Sequence, residues 1–190
     1  MTPARNNSFL KALAATALSL FTVAILVTTT GCNTKTKPTP ENFTQALNAH
    51  FLDHPDCLLV DVKFPYATAD PAKTKQMNTL VKSLLLESSF EYAVRTTRYT
   101  PTPTGARYAP RFCYGTRVIT SIDSFTPPAK GPTGYPETQA TFHYKMQDVP
   151  VWAKSPDVMA AFPEMAAKTK GDATDKATLA QTLSGWQVPE

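Results

Sequence analysis

The alternation of apolar and polar positions is strongest in two segments near the middle of the chain. In residues 138–149, apolar side chains occupy every second position along much of the segment. Such alternation is typical of a β-strand with one buried and one solvated face. Residues 111–125 have a matching apolar face, which Gly115 interrupts. The intervening segment, 126–137, contains four prolines and two glycines, so the pattern predicts a long β-hairpin with an irregular surface loop.

Helical spacing of apolar residues predicts two helices before this hairpin. The first begins near Pro40 and ends near Asp53, with Thr39 as its N-cap. The second covers residues 71–87, with Asp70 as its N-cap. Its apolar stripe has the spacing of a core-facing helix and consists of Met77, Leu80, Val81, Leu84 and Leu85.

Shorter patterns complete the predicted fold. Residues 57–63 and 90–95 are predicted to be strands, because apolar β-formers dominate the first and alternate in the second. Residues 168–176 are predicted to be a polar linker and residues 177–184 a last helix. Together these elements indicate a single α+β domain, with an antiparallel sheet centred on the long hairpin and helices packed on one face.

The first residues of the chain have the organisation of an export signal. Arg5 and Lys11 provide a positive region, and residues 18–27 form an apolar stretch of about ten residues, too short for a relaxed transmembrane helix. Gly31 and Cys32 follow. In this order and spacing, the segment resembles a bacterial lipoprotein signal peptide. The resemblance implies cleavage after Gly31, a diacylglyceryl thioether on Cys32 and an acylated new N-terminus.

The lipoprotein resemblance divides the chain into three parts. Residues 1–31 would be removed, residues 32–39 would form the lipidated cysteine and a disordered tether, and residues 40–190 would form the domain. Two or more acyl chains anchor a protein durably, so we expect the chain to be held on the bacterial cell envelope, outside the cytoplasm. Asn33 rather than Asp follows the cysteine, and resemblance to the usual lipoprotein sorting pattern then implies, in a Gram-negative host, the outer membrane, facing the periplasm. An uncleaved anchor with a chance cysteine is the alternative.

The net charge gives no support for nucleic-acid binding. The full chain carries 19 Lys and Arg residues against 15 Asp and Glu residues. Loss of Arg5 and Lys11 with the signal lowers the basic count to 17 and the net charge from +4 to +2. An exported domain so close to neutral is not expected to bind nucleic acid.

Cysteine usage points to one disulfide. The chain has three cysteines, and lipid would occupy Cys32. The remaining two, Cys57 and Cys113, would enter an oxidising compartment and have only one possible intramolecular pairing. We therefore predict a Cys57–Cys113 disulfide, with two unpaired buried thiols, or a metal or redox role, as the alternatives.

The best catalytic candidates are His50 and His54, which lie four residues apart near a helix end. Two histidines at this spacing can bind one metal ion, but the zinc-protease pattern needs Glu directly after the first, where this chain has Phe51. The sequence contains no Gly-x-Ser-x-Gly motif and no glycine-rich phosphate loop. Partly buried or capping histidines are the simpler interpretation, and the sequence predicts neither a metal nor a cofactor.

Part of the domain resembles a winged-helix unit. Helix 71–87, strand 90–95 and the Thr- and Pro-rich segment 99–108 have the order of a recognition helix, strand and wing. The whole layout also resembles exported proteins of no established activity, which combine such a unit with motifs found here at 112–115 and 148–153. Winged-helix units elsewhere bind DNA, but a lipid-anchored exported copy does not meet the chromosome, so we expect a scaffold.

Arginines alternate with tyrosines in this region, and both residue types often carry binding energy at interfaces. The candidate interaction surface comprises Arg95, Arg98, Tyr99, Arg107, Tyr108 and Arg117. Solvated arginines beside core or rim tyrosines are the simpler interpretation, which we favour because exposed charges usually mark only a solvated face. The first functional hypothesis is a non-enzymatic envelope lipoprotein that binds or scaffolds an envelope protein or glycan. The second is an envelope hydrolase or metal-dependent enzyme that uses His50, His54 and nearby aspartates.

Overall fold

The computed structural model describes residues 34–132 and 134–189, within which four α-helices and nine β-strands lie. The helices are α1 (Pro40–Asp53), α2 (Pro71–Lys82), α3 (Pro156–Ala161) and α4 (Pro163–Thr169). The strands are β1 (Asp56–Cys57), β2 (Tyr66–Thr68), β3 (Leu86–Glu91), β4 (Thr96–Pro101), β5 (Cys113–Phe125), β6 (Ala129–Lys130), β7 (Pro136–Gln147), β8 (Ala173–Thr182) and β9 (Gly185–Gln187). Among the described helices, none combines the length and apolar character needed to cross a bilayer. The predicted signal peptide and Cys32 lie outside the described residues.

The long hairpin predicted from the alternating pattern is the centre of the main sheet. Strands β5 and β7 pair antiparallel, with Ile119 opposite Tyr144, and the sheet order is β1-β5-β7-β8-β9. The pairing register shifts twice along β5, which indicates β-bulges. Ala140, Phe142 and Tyr144 are buried, as the alternation predicted. The α+β class predicted from the sequence is confirmed.

Helix α1 packs against this sheet and forms the main-sheet core. This core comprises Phe43, Leu47, Ile119, Ala140, Phe142, Tyr144, Leu179 and Trp186. The ring of Phe43 lies edge-on to those of Phe125 and Trp186, with centroid distances of 4.9 and 5.0 Å. Thr39 caps the helix, since its hydroxyl accepts a hydrogen bond from Asn42 N.

The connection between β1 and β5 contains a second sheet, of three strands in the order β2-β4-β3. Helix α2 contributes Met77 and Leu80 to the core beside it, and Asp70 caps the helix by accepting hydrogen bonds from two backbone N–H groups. This small-sheet core comprises Leu59, Met77, Leu80, Leu85, Leu86, Tyr99, Phe112, Tyr114, Trp152, Ala153, Val158 and Met165. The sequence predicted one sheet, because local periodicity identifies strands but not the strands with which they pair.

Helix α2 is shorter than predicted and ends at Lys82 instead of residue 87. Leu84 adopts a left-handed backbone conformation, with φ 59°. The chain therefore turns, so that Leu85 is buried while Leu84 is exposed. Glycine commonly marks such a helix end. Because this chain has leucine there, the apolar spacing extended the predicted helix too far.

The predicted C-terminal helix over residues 177–184 is wrong. Ala173–Thr182 form β8, which pairs with β7 along one edge and with β9 along the other. Leucines four residues apart suggested a helix, but threonine at every fourth position favours a strand, and pairing at both edges stabilises it. The predicted linker over 168–176 is divided between the end of α4 and the start of β8.

Two further segments differ from prediction. The strand predicted over residues 57–63 is reduced to the pair Asp56 and Cys57, and turns follow it. The proline-rich loop of the hairpin contains β6, in which Ala129 and Lys130 pair with β7. These two residues lie between prolines and retain their own backbone donors, so they can extend the ladder locally.

The predicted disordered tether is folded against the domain from Thr34 onward. Residues Thr34–Thr36 form a 3₁₀ turn. Trp186 Nε1 donates hydrogen bonds to the carbonyls of Thr36 and Lys37, each at 3.1 Å. Gln181 Nε2 also donates to Thr36 O, at 3.0 Å. The segment has no apolar side chain, and its order comes from donors about 150 residues away in the sequence, so local composition did not reveal it.

Candidate functional site

Cys57 and Cys113 form the predicted disulfide. They lie opposite each other in the pairing of β1 with β5, although 56 positions separate them in the sequence. A disulfide sulfur is neither a thiolate nucleophile nor a thiolate metal ligand. The alternative roles as unpaired or metal-bound thiols therefore do not apply to the disulfide-bonded cysteines.

Arg117 and Asp56, the residue before Cys57, form the nearly buried centre of an ion cluster. Arg117 Nε and Nη2 donate to the two carboxylate oxygens of Asp56 at 2.7 and 2.9 Å, and Arg117 Nη1 donates to Asp175 at 2.7 Å. Lys168 Nζ donates to Asp56 at 2.7 Å. The side chains of Arg117 and Asp56 retain only 11% and 9% of their exposure. The cluster joins β1, β5, β8 and α4.

Aromatic rings and opposite charges complete this environment. Arg117 Cζ lies 4.7 Å from the ring centroid of Phe51 and 5.0 Å from that of Tyr144, within the range of cation–π interactions. Burial alone would raise the pKa of Asp56, but hydrogen bonds from Arg117 and Lys168 outweigh it and hold the pKa below its usual value. Burial alone would lower the pKa of Arg117, but the bond to Asp56 more than offsets this and raises it. Arg117 is thus a structural centre and not the surface contact that the sequence predicted.

Tyr99 is also internal, which removes it from the candidate interaction surface and agrees with the interpretation that the tyrosines are core or rim residues. It is fully buried in the small-sheet core, and its hydroxyl donates to Asn78 Oδ1 at 3.0 Å. Alternation along β4 directs Tyr99 inward and its neighbours outward. Tyr108 is half-buried, with its ring centroid 5.7 Å from that of Trp152. The predicted surface residues that are exposed are Arg95, Arg98 and Arg107.

The end of β3 and the turn that follows it carry exposed apolar residues. Phe90, Tyr92 and Val94, here called the aromatic tip, retain 50, 84 and 62% of their exposure. The rings of Phe90 and Tyr92 lie edge to face at a centroid distance of 4.9 Å. The alternation of these residues predicted a strand over 90–95 with the three of them on one face. In the structure, β3 ends at Glu91 and the chain turns directly after it.

The strand that leads into the aromatic tip has an unpaired edge. Within residues 34–132 and 134–189, β3 pairs only with β4 and lies at the end of its sheet. Four consecutive exposed residues lie along it, from Glu87 to Phe90. The strand contains neither the lysine nor the proline that often protects an edge. Such an edge can accept an extended segment of another chain as an added strand.

The two candidate metal-binding histidines contact each other at the end of α1. The rings of His50 and His54 stack at a centroid distance of 4.3 Å, and His54 Nδ1 lies 2.9 Å from His50 O. They line a groove of about 330 Å³ together with Lys35, Asp53 and Trp186. Among the described residues, no group of three or more His, Cys, Asp or Glu side chains is arranged to hold a metal ion.

The third histidine belongs to a polar cluster that sequence reasoning missed. His143 Nε2 lies 3.0 Å from Asp123 Oδ2, and its Nδ1 lies 3.7 Å from Asp172 Oδ2. Thr174 Oγ1 lies 3.3 Å from the same Nδ1. The residues come from β5, β7 and the region around the start of β8, so only the register of three strands brings them together.

A larger groove of about 630 Å³ lies between the segment after Cys57 and helices α2 and α4. Tyr114 and Lys168 are among its lining residues. Burial raises the pKa of Tyr114, so its hydroxyl remains protonated at neutral pH. Lys168 is paired with Asp56. Neither residue is therefore prepared to act as a base or nucleophile in this groove.

Comparison of the chain with protein-family models, with curated proteins and with solved structures gives no match. The functional conclusion therefore rests on the chemistry of the residues described above.

Proposed function

We propose that this protein is a lipid-anchored, non-enzymatic component of the bacterial cell envelope, which binds an extended segment of another envelope protein through β3 and the aromatic tip. The observation that carries the proposal is the exposure of Phe90, Tyr92 and Val94 beside a strand edge that has no partner within the described residues. Exposed aromatic residues commonly provide the strongest contacts at protein interfaces. The backbone groups of an edge strand provide hydrogen bonds for an added strand.

The anchor is supported by the sequence around Cys32 and by the disulfide. A positive region, an apolar stretch and Gly31-Cys32 follow one another in the order of a lipoprotein signal. The Cys57–Cys113 bridge is typical of proteins that fold outside the cytoplasm. In a Gram-negative host, the proposed location is the outer membrane, with the domain in the periplasm.

The binding role is favoured over catalysis by the histidine region. His54 Nδ1 lies within hydrogen-bonding distance of a backbone carbonyl of its own helix. The nearby carboxylate of Asp56 is bound by Arg117 and Lys168. A carboxylate held in this way is a weak general base, because its charge is already stabilised by two cations.

Site-specific photocrosslinking in the native envelope tests the binding surface. A photoreactive residue at position 92 is expected to form a crosslink to one defined protein. Val151 is the matched control position, because it is also apolar and at least as exposed as Tyr92. The same photoreactive residue at position 151 should give no such product.

A second variant tests whether the contact needs the apolar character of the tip. Val94→Asp places a charge beside position 92 without removing a buried side chain. We expect it to reduce the crosslinked product about tenfold, as loss of one good interface contact does. Equal products from positions 92 and 151, or a product that persists in the Val94→Asp chain, would refute the proposed surface.

Intact mass of the protein extracted from membranes tests the anchor separately. We expect loss of residues 1–31 and addition of a diacylglyceryl group and an acyl chain at Cys32. Cys32→Ala should abolish both changes. A wild-type chain with an unmodified Cys32 would disprove the lipid anchor and leave the aromatic tip to be judged by the crosslinking result.

A further inference from the structure

The N-terminal end of the described chain is held against the domain from several directions. Asn42 Nδ2 donates hydrogen bonds to the carbonyls of Thr34 and Lys37 at 2.7 and 2.9 Å. Trp186 Nε1 donates to Lys37 O and Thr36 O. Because the donors belong to α1 and β9, the segment has a defined position on the main-sheet side of the domain.

The turn between β8 and β9 lies beside this segment and exposes a leucine. Leu183 retains 94% of its exposure, although a hydrogen bond from Thr182 Oγ1 to Gly185 O ties the turn together. Gly185 has φ 130°, and a side chain there would approach Lys35 O to 3.3 Å, so the turn packs closely against the segment. Lys35 and Lys37 are exposed. These two lysines and Leu183 are here called the basal face.

We propose that the basal face lies on the surface of an anionic lipid bilayer. The inference rests on the proposed lipid anchor at Cys32. Thr34 follows Cys32 by two residues, which span at most about 7 Å. This distance is comparable to the thickness of one headgroup layer. An acylated Cys32 therefore brings the fixed segment, and the turn packed against it, to the membrane surface.

The side chains of the basal face match the chemistry of that surface. Lysines near a membrane are attracted to anionic headgroups, and their aliphatic stems can lie along apolar material while the ammonium groups stay hydrated. Leu183 can enter the boundary between headgroups and acyl chains, where an apolar side chain is removed from water. Charge and apolar surface thus favour the bilayer over a wholly aqueous environment.

A bound basal face gives the domain a fixed orientation on the membrane. A flexible tether would let the domain tumble, whereas a segment held by Asn42 and Trp186 transmits the position of the anchor to the main sheet. The aromatic tip belongs to the small sheet and shares none of these contacts. It therefore stays available for a protein partner while the basal face contacts lipid.

Fluorescence quenching on the full lipidated protein tests the inference. Leu183→Cys introduces one reactive thiol, because lipid occupies Cys32 and the other two cysteines form the disulfide. An environment-sensitive dye at this thiol is studied in vesicles of phosphatidylethanolamine and phosphatidylglycerol that contain brominated acyl chains. We expect severalfold stronger quenching at position 183 than at the control Val151→Cys, which is also exposed.

The outcomes separate the two proposals. Quenching at position 183 alone supports the basal face on lipid. A chain that carries its lipid by intact mass but shows no quenching at position 183 overturns the basal face and leaves the anchor in place. A dye at position 183 that is shielded from water without bromine quenching indicates a protein or a second copy there, and also overturns it. A chain without lipid overturns the anchor and this inference together.

A charge-reversal pair tests the role of the lysines. Lys35→Glu with Lys37→Glu is expected to lower quenching at position 183 by more than half in the phosphatidylglycerol vesicles. The matched pair Lys145→Glu with Lys154→Glu changes two other exposed lysines by the same charge and should leave quenching unchanged. If both double variants lowered quenching at position 183 equally, the net charge of the protein alone would explain the change. That result would refute contacts of Lys35 and Lys37 with the lipid.

Discussion

Arg117 shows how one nearly buried residue joins elements that lie far apart in the sequence. Its guanidinium binds Asp56 in β1 and Asp175 in β8, and Asp56 also binds Lys168 from α4. When one partner of a buried ion pair is removed, the remaining charge stays desolvated without compensation. Removal of one partner therefore lowers the free energy of unfolding by more than the intact pair contributes to it.

At the scale of single residues, we expect Arg117→Met to lower the free energy of unfolding by about 3 kcal/mol. In this variant, Lys168 still neutralises part of the charge on Asp56. The expected loss of stability therefore lies at the lower end of the range for removal of one partner of a buried ion pair. Arg98→Met is the control, because it breaks an exposed ion pair with Glu91 and should cause a much smaller loss of stability. Urea unfolding followed by circular dichroism measures both changes, and similar losses would contradict the central role of Arg117.

Asp56 also predicts a pH dependence of stability. Its pKa in the folded state lies below the ordinary Asp value of 3.8. The carboxylate therefore stabilises the fold in full above the unfolded-state pKa, and this contribution is lost as the pH falls through the folded-state pKa. We expect urea unfolding between about pH 5 and pH 2 to show a fall in stability that is smaller in Asp56→Asn. A fall of equal size in the wild-type chain and in Asp56→Asn would contradict this role of Asp56.

At the scale of elements, local signals predicted those parts of the fold that local chemistry decides. Thr39 and Asp70 cap α1 and α2 where the sequence placed them, and the alternation in β7 correctly predicted its buried face. The end of α2 was not predictable, because Leu84 takes a conformation that glycine usually signals. Strand β8 was not predictable either, because its stability comes from pairing with β7 and β9 and not from its own periodicity.

In the candidate sites too, some features could be predicted from the sequence and others depended on packing between distant elements. The disulfide could be inferred from cysteine count and compartment alone, and the structure confirms it. The alternation of Phe90, Tyr92 and Val94 was visible, but their exposure was not, because burial depends on which elements pack above a strand. Arg117 and Tyr99 were candidates for an interaction surface from residue type alone, whereas their strand positions direct them inward.

At the scale of elements, the N-cap of α2 gives a prediction about stability. Asp70 Oδ1 accepts hydrogen bonds from Ala72 N at 2.7 Å and from Lys73 N at 3.0 Å. Asp70→Ala leaves both donors without this acceptor and should lower the midpoint of thermal unfolding. Asp70→Asn keeps a side-chain oxygen as the acceptor and should lower this midpoint much less. Thermal unfolding distinguishes the two variants, and equal losses would show that the charge, rather than the acceptor, matters.

At the scale of the whole molecule, the small sheet is an excursion from the main sheet that the disulfide closes. Residues 58–112 leave the main sheet after Cys57 and return to it at Cys113, and they contain β2, α2, β3 and β4. The bridge thus fixes both ends of the excursion at one point. Its stabilising effect comes mainly from restricting the unfolded chain between the two cysteines.

This arrangement predicts that loss of the bridge destabilises the two sheets unequally. We expect Cys57→Ser with Cys113→Ser to lower the free energy of unfolding by about 2–4 kcal/mol. Because the excursion then loses the closure of its ends, hydrogen exchange should accelerate more in β3 and β4 than in β7 and β8, which pair outside the closed loop. Thiol labelling of the native wild-type chain should be negligible and provides the control for an intact bridge. Faster exchange in β7 and β8 than in β3 and β4 would show that the disulfide supports the main sheet instead.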